Sequence, residues 1–585
     1  WSDTFNNTEY YYFTITPNAG YEINFVSFVY TGQRSPINGP TNFAFRSSLD
    51  LYTAPIGAPT DSGTTINLSS AAYQNISGAI TFRFYAWGAN NGTGTFSIND
   101  FTFNGVISAL PPCGTETATW DGADWNWDGS TLQNTLPTIA TTSNVIINGD
   151  YDTTVGGFQT SFSACSLIIN STFTLTVANG DYVEVENDVV ADGGILVNSQ
   201  ANFIQNNDNA TFTDNSGGLV VLSKDKTSQR WYSYTYWGSP VENENIEGAL
   251  GPAPADRRFT FIAANFVDND TEIGNTNTFT AGTPDGLDDN SNDWVNTPTG
   301  PMVPGVGYAA TAGEFAPSFP ITETFNFFGK FNNGEILVPL VSNSGGAYED
   351  WNLVGNPYPC AINAIDFLTL NSSLIGVIYL WDQSTPPSST TGGGQNSNFS
   401  ADDYAMINGS GGIAATSNPL NTPNSFIPSG QGFFVDASSA GNLTFNNSLR
   451  AITNNNGQFF KKTKTKSKAS NSSANKLWVN LTSDNGVFNQ ILVSYINGAT
   501  NANDGDFYDA PRSLSSVNNT SLYSVIENDN SKFAIQAKAT SSLNEDEIIN
   551  LGFKTTITVP TLYKLSVAQL EGAFLTSNTL FLVDT

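Results

Sequence analysis

The chain has 585 residues, enough for several domains, and its 52 acidic and 21 basic side chains give a net charge of −31. That balance excludes a nucleic-acid partner, because phosphate binding needs clustered Lys and Arg. The absence of His removes Ser-His-Asp and Cys-His catalysis together with imidazole metal ligation.

Composition predicts an all-β protein. Only 12% of residues are charged while 12% are aromatic, and the 52 Gly and 27 Pro call for frequent turns between short strands. Residues 1–108 read as a β-sandwich, with strand candidates at 10–13, 21–30, 80–87 and 95–103. Residues 113–225 read as a short parallel β-helix. Here Ile147, Ile168 and Val189 lie 21 residues apart, as do Leu175 and Leu196, and Val183 and Ile204. A recurrence near 20 residues suits one coil of three short strands, and about three or four coils are expected. An ordinary sandwich with chance spacing is the alternative.

Residues 226–460 read as a β-rich domain with one short helix at 362–370. Lys461 to Lys468 carries five Lys in eight positions. With the Ser-rich stretch after it, this run makes 461–475 a linker, or an electrostatic contact with an acidic neighbour. Residues 476–585 read as a C-terminal sandwich-like domain.

Three loops concentrate carboxylates: Asp268, Asp270 and Glu272; Asp285, Asp288, Asp289 and Asp293; and Asp504, Asp506 and Asp509. Alternating acidic residues on flexible loops suit Ca²⁺, although acidic loops are common in an acidic protein as solvated turns and none follows the EF-hand spacing. Bound Ca²⁺ would raise thermal stability. Trp120, Trp125 and Trp127 interleave with Asp121, Asp124 and Asp128. They make either a platform for a polysaccharide ligand or a cap burying its rings at the open end of the solenoid. Cys113 and Cys165 flank the start of the solenoid and are candidates for a disulfide in an oxidising compartment. No apolar run approaches the ~18–20 residues that span a membrane, so membrane insertion is not expected. No signal peptide is visible, and residue 1 reads as a mature or trimmed end.

Trp351-Asn352-Leu353-Val354-Gly355-Asn356-Pro357-Tyr358-Pro359 and Ser429-Gly430-Gln431-Gly432-Phe433-Phe434-Val435 resemble a domain of large surface proteins of Bacteroidota. These are exported by the type IX secretion system. Phe43 to Asp50 and Ile80 to Tyr85 resemble an N-terminal sandwich of the same proteins. In that family a motif like Tyr234 to Val241 joins the solenoid to the next domain. Strands precede the position of Trp1 there, and a sorting domain follows the position of Thr585. Ser follows Asn-Pro-Tyr-Pro in the family where this chain has Cys360, which makes Cys360 a buried small residue rather than a nucleophile. Asp152-Thr153-Thr154 fits the O-glycosylation acceptor pattern of some Bacteroidota, at Thr153. The resemblance implies an extracellular structural or adhesive protein, not an enzyme and without an organic cofactor. If the terminal strand edges are open in the mature protein, self-association into a filament follows. A carbohydrate-binding array and a polysaccharide-cleaving β-helix are the rivals.

Overall fold

The computed structural model describes residues 1–583 except 18–20, 51, 75, 77–78, 91–93, 110–112, 129–131, 267–291, 314–317, 344–349, 390, 392–396, 419–420, 452–455, 459–473, 513–519, 528 and 530. It is nearly all β. Two compact units divide it, one built mainly from residues 1–112 and one from 113–495 with most of the chain beyond.

The first unit is a sandwich of two three-stranded sheets. One orders Tyr10–Ile15, Ile80–Trp87 and Asn42–Ser47; the other orders Gly63–Asn67, Tyr21–Arg34 and Phe96–Ala109. Alternation fixes the faces. Phe45, Phe82 and Phe84 point inward and are fully buried with Phe28. Stacked rings fill the space between the sheets, with Phe28 on Phe45 at 4.5 Å and Phe45 on Phe82 at 5.2 Å.

The second unit opens with the solenoid. Its longest face stacks five rungs, and the other two faces stack four and three before other strands take over. The extra coil comes from Glu116–Trp120, which pairs in parallel with Thr142–Ile147. Ala118 lies opposite Val145, 27 positions on. A hairpin through Trp125–Trp127 lengthens this coil and hides it from a 21-residue search.

Within the solenoid the predicted partners are one residue out. Leu167 pairs with Val189, and Ile168 with Val190. Leu175 pairs with Ile195, Val183 with Phe203, and Ile169 with Ile147. At these positions the offset is 22 residues on one face and 20 on the other two, on either side of the apparent 21, and a one-residue offset turns a side chain from core to surface. Leu167 and Ile169 are therefore fully buried, while Ile168 points outward. Ile204 also points out of the solenoid, yet it is buried because the central core covers it.

The last solenoid strand, Val220–Ser228, pairs antiparallel with Ile321–Phe328, so that edge is covered. The central region carries the sheet containing Trp351–Gly355, Gly432–Ala437, Ile375–Trp381, Tyr404–Asn408 and Gly411–Ile413. The longer of its two described α-helices is Ala364–Leu370, capped by Asn363, whose side chain accepts from the N–H groups of Ile365 and Asp366. The C-terminal strands form a seven-stranded sheet. One of its faces packs Trp478, Leu492 and Ile535 against Val377, Met406 and Ile413 of the central sheet. No helix among the described residues is long and apolar enough to cross a membrane.

Candidate functional site

The motif segments converge on one buried node. Trp351–Gly355 and Gly432–Ala437 are adjacent antiparallel strands, with Gly355 opposite Gly432. Trp237 bridges Gln431, and the Gly238 N–H donates to Gly430 O at 2.9 Å. Backbones meet so closely here that a Cβ on Gly432 would lie 2.7 Å from Trp237 N. Pro357 and Pro359 have no N–H to offer. Asn356 compensates: its fully buried amide Nδ2 donates to the carbonyls of Cys360, Ile427 and Pro428 at 2.9, 3.0 and 3.0 Å. Its Oδ1 accepts from Tyr358 N at 3.0 Å. The Tyr358 hydroxyl donates to Gly334 O at 2.7 Å, and the Ser429 hydroxyl to Tyr358 O at 2.8 Å. Cys360 is fully buried, and burial pushes its thiol up to about 11. That is inert thiol chemistry. Asn356, Tyr358, Ser429 and the Gln431 Nε2 all bond to backbone, while the Gln431 Oε1 is buried without a partner.

The sugar-platform reading of the solenoid tryptophans is overturned. Trp120, Trp125 and Trp127 are at most 3% exposed, so no ring face is open to a sugar. Each indole N–H donates to a backbone carbonyl, of Asp150, Phe158 and Thr135 respectively, at 2.9–3.1 Å. They cap the first coil with Tyr151 and Phe162. Thr153 is corrected too. It is 5% exposed, and its hydroxyl accepts from Ala178 N at 2.9 Å, so in the folded chain it is closed to glycan transfer. Cys113 and Cys165 are joined by a disulfide with Cα atoms 5.4 Å apart, and Cys360 is free.

Asp268, Asp270, Glu272, Asp285, Asp288 and Asp289 lie outside the described residues. Asp293 is buried and accepts from Trp294 N at 2.8 Å. Asp509 is 1% exposed, and its two oxygens accept from Asp504 N at 2.7 Å and Ala537 N at 2.9 Å. Burial still outweighs these bonds and pushes it up to about 7. It staples a turn. Among the described residues no group of three or more acidic or Cys side chains is placed to hold a metal ion.

Sequence reasoning missed a face that the sheet register assembles. On the outer side of the N-terminal sandwich, Tyr12 pairs with Arg83, and Arg83 with Arg46, so the three side chains form one rung. Tyr10 and Tyr85 form the next. The Arg83 guanidinium lies 4.1 Å from the Tyr10 ring and 3.8 Å from the Tyr52 ring, and that of Arg46 lies 4.9 Å from Phe5. Tyr12 is 67% exposed. Around the sheet edge, Tyr10 and Tyr12 continue into an open groove of about 380 Å³ with Phe13, Ile98 and Phe101. Phe-Arg-Phe at 82–84 and Phe45-Arg46 reveal by alternation that both Arg point outward; only the pairing register brings them together.

No curated protein and no solved structure matches the chain. Residues 114–585 match the family model described as Domain of unknown function (DUF8693), and the chain belongs to that family.

Proposed function

We propose that this member of the DUF8693 family is an extracellular structural or adhesive protein, a subunit of a surface fibre exported by the type IX system. The observation that carries the reading is the use of its most distinctive residues. Gly238, Gly355, Asn356, Tyr358, Ser429 and Gly432 are committed to joining backbone segments, which serves mechanical continuity and leaves no reacting group. Three further features support it. The solenoid is capped by tryptophans at one end and joined by a strand ladder to the central region at the other. A disulfide ties residue 113 to residue 165, which suits an oxidising compartment. The acidic, Asn- and Thr-rich composition favours solubility outside the cell.

A second reading, a polysaccharide-binding module, is favoured by the tyrosine and arginine face of the sandwich and is compatible with adhesion. Deleting the gene in the producing bacterium tests the main reading. Loss of surface attachment with unchanged growth on polysaccharides is expected. Unchanged attachment combined with lost growth on a polysaccharide would point to an enzyme instead.

A further inference from the structure

Residues 1–112 contain three basic side chains, Arg34, Arg46 and Arg83, against six acidic ones. Arg34 is paired with Asp61 at 2.7 Å. The other two are placed directly opposite each other on neighbouring strands, where Cβ atoms stand about 4.5–5.5 Å apart and like charges repel. Among the described residues neither forms a salt bridge.

The rings around them do not remove the need for a counter-charge. Aromatic faces cover the guanidinium planes, but the N–H donors lie in the plane, five to each Arg. Arg46 donates through Nη1 to Tyr52 O at 3.0 Å, and Arg83 through Nη1 to the Tyr85 hydroxyl at 3.5 Å. The Nε of each is buried without a hydrogen-bond partner. Tyr52 holds a left-handed backbone with φ of 61°, a conformation that is strained for a bulky non-glycine residue. That conformation places its ring on Arg83 and its carbonyl on Arg46. Two forks of donors side by side match the oxygens of a carboxylate or sulfate.

We propose that this face binds an acidic polysaccharide, with a carboxylate or sulfate held between Arg46 and Arg83 and a sugar ring lying on Tyr12. Charge selects the anion. The shape selects a glycan over a protein, because a stable protein contact wants a packed apolar centre. This face instead offers separate exposed rings, Tyr12 and Phe5, with tyrosine hydroxyls and a shallow groove running off the sheet edge. The groove lets the polymer continue past the charged pair. The inference rests on the adhesive reading and supplies its ligand.

Calorimetric titration of the full chain tests it, with oligogalacturonate and dextran sulfate as acidic probes. Methyl-esterified oligogalacturonate and unmodified dextran are the neutral controls. At least one acidic probe is expected to bind and neither neutral one. Arg46→Gln and Arg83→Gln should each weaken binding about tenfold or more, and Tyr12→Ala several-fold. Arg83→Lys, which keeps the charge but loses the fork, should fall between. Lys330→Gln, which removes a cation paired with Glu242 elsewhere, should change nothing. Melting temperatures near that of the parent chain establish that the variants fold, and Tyr12→Ala, at an exposed ring, carries the test if the Arg variants do not. No binding of either acidic probe would overturn the proposal, as would binding that none of the variants alters. Loss of self-association in the Arg variants, without glycan binding, would reassign the face to a second copy of the chain. Failure here with normal loss of attachment on deletion removes only the ligand. Glycan binding with attachment intact on deletion removes the adhesive reading.

Discussion

Gly355 and Gly238 meet backbone to backbone. A Cβ on Gly355 would lie 2.6 Å from Gly238 Cα, and one on Gly238 would lie 2.9 Å from Gly355 Cα. Neither main chain has room to withdraw, since Gly355 is held in a ladder with Gly432 and Gly238 is bonded to Gly430. Gly355→Ala is therefore expected to destabilise the chain by about 2–4 kcal/mol, against the small gain that Gly→Ala gives where space allows. A lower urea midpoint for the transition of residues 113–585 checks this.

Asn356 supplies the donors that two prolines withhold. Asn356→Ala should cost about 2–4 kcal/mol, because three buried carbonyls lose their partner. Asn356→Asp should be worse, since it keeps the volume but turns a carboxylate toward carbonyl oxygens. Asn356→Asp melting like the parent chain, with Asn356→Ala destabilised, would show that volume and not donation matters.

The disulfide closes a loop between residues 52 apart. In the chain-entropy account such a loop contributes about 4 kcal/mol. Reduction, or the paired change Cys113→Ser with Cys165→Ser, should lower the melting temperature of the solenoid. Thiol labelling in denaturant should then count one reactive Cys in the parent chain, Cys360, and three after reduction.

Stability should fall as pH rises from acid to neutral. Burial, with Asp506 and Asp350 nearby, pushes Asp436 up to about 7. Burial lifts Asp403 to about 6 and Asp509 to about 7. Each carboxyl binds its proton more tightly folded than unfolded, so its contribution is full below the unfolded value, near 4. It is lost as pH climbs through the folded value. Melting temperature is expected to be higher at pH 5 than at pH 8. Asp436→Asn should raise it at pH 8 by an amount corresponding to about 1 kcal/mol and flatten the profile. An unchanged profile in that variant would sink the assignment to Asp436.

Much of the architecture is legible in the residues, and the gaps have physical causes. Alternation at 80–87 and 95–103 exposes the strands of the sandwich. The apolar recurrence from Ile147 to Ile204 exposes the solenoid, but it blurs pairing offsets of 20 and 22 residues into 21 and so mistakes Ile168 for a core position. The first coil is hidden because a hairpin separates Ala118 from Val145 by 27 positions. The tryptophans are visible as a cluster, yet nothing local tells a buried cap from an open platform; only the edge-on packing of Tyr151 and Phe162 against them decides it. Arg46 and Arg83 are 37 positions apart, and sheet register, which sequence spacing does not encode, makes them neighbours.

Electron microscopy of the producing cells, with gold-labelled antibody against residues 113–225, shows where the protein resides and whether it assembles. Gold is expected along elongated structures outside the cell, lost from the deletion strain. Label confined to the cell interior, or on dispersed single molecules that never join a surface structure, would contradict it.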